Sequence, residues 1–271
     1  MNLLFAVDDN YVDQLLTTLY SVYDNSRQTQ LDIYILQSQP LTQNDRITAF
    51  CQRIGATYHP VLIAADAFDD APTTDRYPKT IYYRLLAHEY LPQDLDKILY
   101  MDADILCLNP IQDLYDMDLG DKLYAAASHV SDDNVLDLVN KLRLQNFEME
   151  SYFNTGTLLM NLAAIRQTVK RQDIMDYIAA NASALILPDQ DVLNGLYGHY
   201  TLEVPDEIYN YDARYSLLYQ ARNRDWDLDW VVANTVFLHF CGRAKPWLPD
   251  YNSRYAGLFK HYQHKARLLE G

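Results

Sequence analysis

The stretch Ile98-Leu-Tyr-Met-Asp102-Ala-Asp104-Ile-Leu106 is an apolar run interrupted by two aspartates one residue apart. Bounded by the charged residues 94–97 and by Asn109-Pro110, it predicts a short buried strand whose carboxyl end carries the acids. Residues i and i+2 of an extended segment point the same way, so Asp102 and Asp104 are expected to converge on one spot. Two carboxylates that close repel each other and lose solvation unless positive charge sits between them. A hard divalent cation bound by carboxylate oxygens resolves this, and can in turn hold a phosphate-bearing ligand. Two solvated acids in a loop would show the same short pattern, so the rest of the chain decides between the readings.

Around this run the pattern alternates strand and helix. Residues 3–7 form a continuous apolar pentamer running into Asp8-Asp9-Asn10, which suits the first strand of a buried parallel sheet. Residues 12–23 carry Leu15, Leu16, Leu19 and Val22 at helical spacing. Residues 31–36 and 56–61 read as strands, 42–54 and 80–90 as helices, and the acidic, proline-containing 66–78 as a loop. Further on, 123–127, 157–161 and 236–239 read as strands, and 162–181 and 189–197 as helices. Short connections between strands and helices indicate a doubly wound α/β sheet. In such sheets ligands bind beyond the carboxyl ends of strands near a reversal of strand order, and Asp8, Asp102 and His239 all fall at such ends.

Composition narrows the function. The 271 residues include 22 Lys+Arg against 37 Asp+Glu, a net charge of −15 and a sequence pI near 4.7. A general nucleic-acid binder neutralises phosphates with basic groups, so this balance argues against one. An anionic substrate must instead be met locally, by a metal or a few placed cations. Cys51, Cys107 and Cys241 have no metal-finger spacing, and their odd number does not suggest a disulfide framework. The first residues lack a basic n-region and reach acids too early for a signal peptide, and no apolar run has the length of a spanning helix. A reducing, cytoplasmic location is expected.

Three further segments carry chemistry. His239-Phe-Cys-Gly242-Arg-Ala-Lys245-Pro-Trp247 joins an imidazole suited to borderline metals with a glycine permitting close approach to a phosphate. Its Lys245 supplies a point charge where a diphosphate leaving group would gather negative charge. In Pro188-Asp189-Gln190-Asp191 the proline and acids suit ordinary helix capping, whereas Gln190 has no capping purpose. Phe153-Asn154-Thr-Gly156 before an apolar strand is by itself an ordinary turn.

Asp8-Asp9-Asn10-Tyr11, Tyr-Met-Asp102-Ala-Asp104, Phe-Asn154-Thr-Gly156, Asp189-Gln190-Asp191-Val-Leu-Asn194 and His239-x-x-Gly242-x-x-Lys245-Pro-Trp247 occur in this order from about residue 2 to 250. Jointly they resemble glycosyltransferase family 8, which includes bacterial lipopolysaccharide galactosyl- and glucosyltransferases and glycogenin. The resemblance implies a GT-A fold, with a Rossmann-like mixed sheet flanked by helices, over residues 1–250. It implies retaining transfer of galactose or glucose from a UDP-sugar to a saccharide or glycoconjugate acceptor. By position, Asp102, Asp104 and His239 would bind Mn²⁺ (or Mg²⁺) bridging the diphosphate. Ala6, Asp8 and Asn10 would line the uridine pocket, Ala103 would belong to the same donor site, and Gly242 and Lys245 would contact phosphate oxygens. Arg84, Asn154 and Asp189 would hold the donor sugar, with Gln190 facing the anomeric carbon and Gln190 and Asp189 forming the catalytic pair. Some relatives carry an acid where this chain has Ser128-His129-Val130, which bears on the acceptor and the hexose.

Two other functions fit parts of the pattern. A haloacid-dehalogenase-like phosphatase also places D-x-D after a buried strand, but near the start of its domain and with Thr or Val where this chain has Leu106. An inactive UDP-sugar-binding protein of the same fold is opposed by the joint presence of Asp102, Asp104, Gln190, His239 and Lys245. Residues 251–271 form a basic, aromatic helical tail in an acidic chain. It is expected either to pack on the domain or to lie on the inner face of an anionic membrane.

Overall fold

The described residues include ten strands: β1 (Asn2–Ala6), β2 (Asp32–Gln37), β3 (Thr57–Leu62), β4 (Lys97–Met101), β5 (Ile105–Cys107), β6 (Tyr124–Ala127), β7 (Thr157–Asn161), β8 (Thr201–Val204), β9 (Tyr211–Asp212) and β10 (Phe237–His239). The computed structural model describes residues 1–26, 30–64, 66–69, 71–73, 78–128 and 151–271. The departure at His129-Val130 and part of the 66–78 loop lie outside the described residues.

Seven strands form one sheet in the order β3-β2-β1-β4-β7-β6-β8, and β5-β10-β9 form a second. In the large sheet β1 pairs in parallel with β2 and β4, β2 with β3, and β6 with β8. Only β7 runs the other way, antiparallel to β4 and β6. Both faces of this sheet are covered, which is why its central strands read as unbroken apolar runs. Leu3, Phe5, Leu99 and Met101 enter one core, whereas Leu4, Ile98 and Tyr100 enter the other.

The strand order reverses between β1 and β4, so the chain leaving their carboxyl ends opens the crevice that such sheets use for ligands. Because β7 is reversed, its amino end lies at this same edge, with Thr157 opposite Met101. Asn154, Thr155 and Gly156 are thereby delivered beside Asp102, whose backbone N–H donates to the Gly156 carbonyl at 2.8 Å.

Three elements differ from the sequence reading. Residues 98–106 are not one strand: β4 stops at Met101, a turn spans 102–104, and β5 belongs to the second sheet. The two carboxylates therefore meet across a turn, not through the two-residue period of an extended chain. Residues 80–90 wind first as a 3-10 helix, Lys79–Leu86, before a single α-turn, Ala87–Tyr90. The tighter winding stacks residues three apart, and Arg84 donates back to the Ile81 carbonyl at 3.2 Å. Residues 162–181 divide into helices Leu162–Thr168 and Arg171–Asn181, because Val169 and Lys170 are extended and Val169 is buried in the core.

Cys51, Cys107 and Cys241 are buried and form no disulfide. Helix Ala256–Glu270 lies against helix Val12–Asn25. Its Phe259 and Ala266 are buried, and Asn25 donates to the Tyr262 hydroxyl at 3.0 Å. Among the described residues no helix is long and apolar enough to cross a membrane.

Candidate active site at the junction of the two sheets

The 102–104 turn passes the chain from the large sheet to the small one, and each acid is pinned to a different sheet. Asp102 is tied by its N–H to Gly156, and the Asp104 carbonyl accepts from Phe240 N–H at 3.0 Å. The Thr18 hydroxyl lies 2.9 and 2.8 Å from the carbonyls of Ala103 and Ile105, so the helix after β1 clamps the turn from behind. In the small sheet, antiparallel pairing of β10 with β5 puts His239 opposite Ile105. That register brings the imidazole to the acids across more than a hundred residues of sequence.

The resulting cluster is tight. One ligand atom from each of Asp102, Asp104 and His239 can be chosen so that all lie within 4.8 Å of one another. His239 Nε2 is 3.2 Å from Asp104 Oδ1 and 4.0 Å from Asp102 Oδ2. The other ring nitrogen, Nδ1, is 2.8 Å from the side-chain oxygen of Asn210 and so carries the hydrogen. Nε2 faces the two carboxylates, the position from which the neutral ring would present its lone pair to an ion. A Cβ at Gly156 would lie 2.3 Å from His239 Cε1 and 3.0 Å from Asp102 Oδ2, so only glycine allows this approach. Two carboxylates and one imidazole at these separations fit a divalent metal.

Positive charge surrounds the acids. The buried Arg84 contacts Asp102 at 3.0 Å and Asp189 at 3.3 Å, and donates to the Thr155 carbonyl at 2.6 Å. Its guanidinium stacks 4.2 Å from the centre of the Tyr100 ring. Tyr100 in turn donates to Asp102 Oδ1 at 2.7 Å. Burial holds that hydroxyl well above its ordinary value, so it remains a donor. Lys245 forms an ion pair with Asp104 Oδ2 and donates to the Phe240 carbonyl at 2.8 Å. Burial opposes the charge of Asp104, but Lys245 and His239 outweigh it and hold the carboxyl below the usual range. Asp189 is pushed the other way by burial, with Arg84 opposing.

On the far side of Gly156, Asn154 donates to Gln190 Oε1 at 3.3 Å, and Thr155 Oγ1 donates to Asp189 Oδ2 at 3.0 Å. Both acceptors stand at the start of helix Pro188–Tyr197. Asp191, by contrast, accepts the N–H groups of Ile186 and Leu187 at 2.6 and 3.0 Å and the Tyr152 hydroxyl at 2.5 Å. That is the capping work the acids of this segment predict.

Two adjoining cavities of about 310 Å³ each share Tyr11, Ile81, Arg84, Asp102 and Asp104 as a common wall. The first is lined by Ala6, Asp8, Asn10 and Ala103, and the second by Asn154, Asp189, Gln190, His239, Gly242 and Lys245. Each residue to which the resemblance gives a metal, donor-binding or catalytic role lines one or both. Asp8 also caps the 3-10 turn Asp9–Tyr11 by accepting from Asn10 N–H at 2.9 Å.

Four supporting residues escape a sequence reading. Asn210, Tyr100 and Thr18 are buried and line neither cavity, and although Tyr100 stands beside the D-x-D pair, nothing in the sequence gives any of the three a role. Asn194 has a faint signal, four positions after Gln190 on one helix face. It brackets Phe153, accepting its N–H at 2.7 Å and donating to its carbonyl at 2.8 Å, and so fixes the 152–156 segment.

Comparison with known proteins agrees with this geometry. The chain is 26% identical over 269 residues to a lipopolysaccharide 1,2-glucosyltransferase of Escherichia coli, covering 96% of this chain and 77% of that protein. It is 25% identical over 252 residues to a lipopolysaccharide 1,3-galactosyltransferase of Salmonella typhimurium, covering 91% and 72%. The crystal structure of galactosyltransferase LgtC in complex with donor and acceptor sugar analogs superposes with a TM-score of 0.82 at 25% identity. The match covers 98% of this chain and 96% of that one. The fold is thus GT-A, and the chain is a glycosyltransferase. With the model of glycosyl transferase family 8 matching residues 2–250, the chain belongs to that family.

Proposed function

We propose that this protein is a retaining, Mn²⁺-dependent hexosyltransferase that moves galactose or glucose from a UDP-sugar to a saccharide or glycoconjugate acceptor. The observation that carries the reading is the convergence of Asp102, Asp104 and His239, with Lys245 paired to Asp104, where two adjoining cavities meet beyond the carboxyl ends of β1 and β4. The names of the relatives support both hexoses.

In this reading Ala6, Asp8, Asn10 and Ala103 hold the nucleoside in the first cavity. The diphosphate lies over Asp102 and Asp104, and the hexose enters the second cavity against Asn154, Asp189 and Gln190. Asp102, Asp104 and His239 would hold Mn²⁺, which would supply positive charge to the leaving diphosphate. Lys245 exchanges Asp104 for a phosphate oxygen, and Gly242, with φ of +88°, lets the backbone approach closely. The sugar develops oxocarbenium-like charge at its anomeric carbon. Gln190 and Asp189 face that charge, and Arg84 fixes the Asp189 carboxylate at 3.3 Å. Gln190 is a neutral amide and a poor nucleophile. The acceptor hydroxyl therefore attacks from the face the diphosphate leaves, and its proton passes to the leaving phosphate oxygen.

We assign the reaction to the cytoplasm, at the inner membrane face. The tail supports docking and not insertion, because Phe259 and Ala266 are already buried while Arg254, Lys260, Lys265 and Arg267 are exposed. Incubating the protein with UDP-galactose or UDP-glucose and Mn²⁺ should release UDP. Absence of release with any UDP-hexose would reject the reading.

A further inference from the structure

His239 and Gln190 are joined by a chain of side-chain amides whose polarity the main chain dictates. A backbone N–H can only donate. Gly156 N–H points at one atom of the Asn154 amide at 2.9 Å, so that atom is the oxygen. Asn210 touches the same oxygen at 2.9 Å and must do so with its NH₂ group. The other end of Asn210 is then its oxygen, and it lies 2.8 Å from His239 Nδ1. On the opposite side, the Asn154 NH₂ and the Thr155 N–H both donate to Gln190 Oε1, at 3.3 and 3.4 Å.

Asn210 is fully buried and does not line either cavity. It is delivered by the small sheet. It ends the turn of helix Asp206–Tyr209 and directly precedes β9, whose parallel register with β10 sets Asp212 beside His239. Neither amide can rotate by itself, since reversal would set an oxygen against an oxygen or an NH₂ against an N–H.

We propose that Asn210 is a positioning residue that holds His239 with hydrogen on Nδ1, so that Nε2 faces the ion, and at the same time orients Asn154 toward the donor hexose. This rests on the metal and donor assignments of the proposed function. Ligating histidines commonly give their second N–H to an outer partner, whose loss costs roughly 10–100-fold in metal affinity. A carboxylate partner can only accept. A carboxamide can donate on its other side as well, and here that second function reaches the sugar-facing amide.

The test measures Mn²⁺ binding in the presence of UDP by loss of the free-ion EPR signal, for wild type, Asn210→Ala and Asn210→Asp. Asn210→Ala removes the acceptor and should weaken Mn²⁺ binding by roughly 10–100-fold. Asn210→Asp keeps the acceptor and should bind Mn²⁺ about as tightly as wild type. It loses the donation to Asn154, so its affinity for UDP-hexose relative to UDP should fall about tenfold. A purely structural asparagine would show no such split. The proposal is overturned if Asn210→Ala binds Mn²⁺ like wild type, or if Asn210→Asp loses Mn²⁺ binding. Should Asn210→Ala fail to fold, the Asn210→Asp comparison decides alone. Failure of the wild type itself to bind Mn²⁺ would reject the metal reading, an outcome separate from any difference among variants.

Discussion

Lys245 makes its ion pair with Asp104, 141 positions earlier in the chain, so a cation already occupies one oxygen of the carboxylate proposed to bind metal. The contact ties the last segment of the site to the first and gives one lysine two opposed effects. Lys245→Ala should weaken UDP binding roughly ten- to hundredfold, the value of a lost charge-assisted contact. Uridine, without phosphates, should bind as before. In the absence of nucleotide the same variant should bind Mn²⁺ more tightly, by about tenfold, because Asp104 Oδ2 is released. Calorimetry with UDP and EPR with Mn²⁺ alone read the two arms. Unchanged UDP affinity would remove Lys245 from the site.

Asp104→Ala should abolish transfer, and chelation of the wild type should do the same, with Mn²⁺ restoring only the wild type. The fold also bears a cost, since Lys245 and His239 lose a shared partner in a buried setting. A loss of about 1–3 kcal/mol is expected in denaturant unfolding. Adding Lys245→Ala to Asp104→Ala should recover part of it. Independent, additive losses in that double-mutant cycle would mean that the ion pair contributes nothing to stability.

Gly156→Ala tests the close packing around His239. The new methyl would lie 2.3 Å from Cε1 of a ring held through Nδ1 by Asn210, and 3.0 Å from Asp102 Oδ2, so the cluster must rearrange to admit it. Mn²⁺ affinity should fall by roughly 10-fold or more, with an unfolding cost of about 1–3 kcal/mol from overpacking. Gly257→Ala, in helix Ala256–Glu270 where a Cβ meets open space, serves as the control: it should leave Mn²⁺ affinity unchanged and stabilise the fold by up to about 1 kcal/mol. Wild-type Mn²⁺ affinity in Gly156→Ala would show that the ring position is not critical.

The stereochemical outcome reports on Gln190. An α-linked UDP-hexose should yield an α-glycoside by NMR, since leaving group and acceptor share one face. A β-linked product would exclude front-face attack. Gln190→Ala should lower turnover by about 10²–10³-fold, as for loss of one stabilising dipole, without eliminating it. Complete loss, together with a sugar adduct trapped on Gln190 in the wild type, would favour a covalent route.

Much of the architecture is legible in the residues alone. The apolar pentamer before Asp8 and the run before Asp102 are β1 and β4, because strands covered on both faces need side chains of one chemical kind. The same positions identify the family, since D-x-D, N-T-G, D-Q-D and H-x-x-G-x-x-K each place a chemical group at a strand or helix end. Local sequence also accounts for Asp191, whose capping contacts span five residues.

Tertiary structure alone decided how these groups meet. Asp102 and Asp104 converge because a turn between two sheets, clamped by Thr18, brings them together, and an extended strand does not. Asn154 reaches the Asp102–Asp104–His239 cluster because β7 is reversed, a fact of strand pairing that no local pattern encodes. The supporting contacts of Asn210, Tyr100 and Asn194 are set by tertiary structure for the same reason, although Tyr100 and Asn194 stand inside the quoted segments. Their partners lie between 2 and 56 positions away, and a hydrogen bond between side chains depends on distance in space, not on position along the chain. Residue types along this chain therefore set which chemistry is available, while sheet order and register set which atoms come within 3 Å of each other.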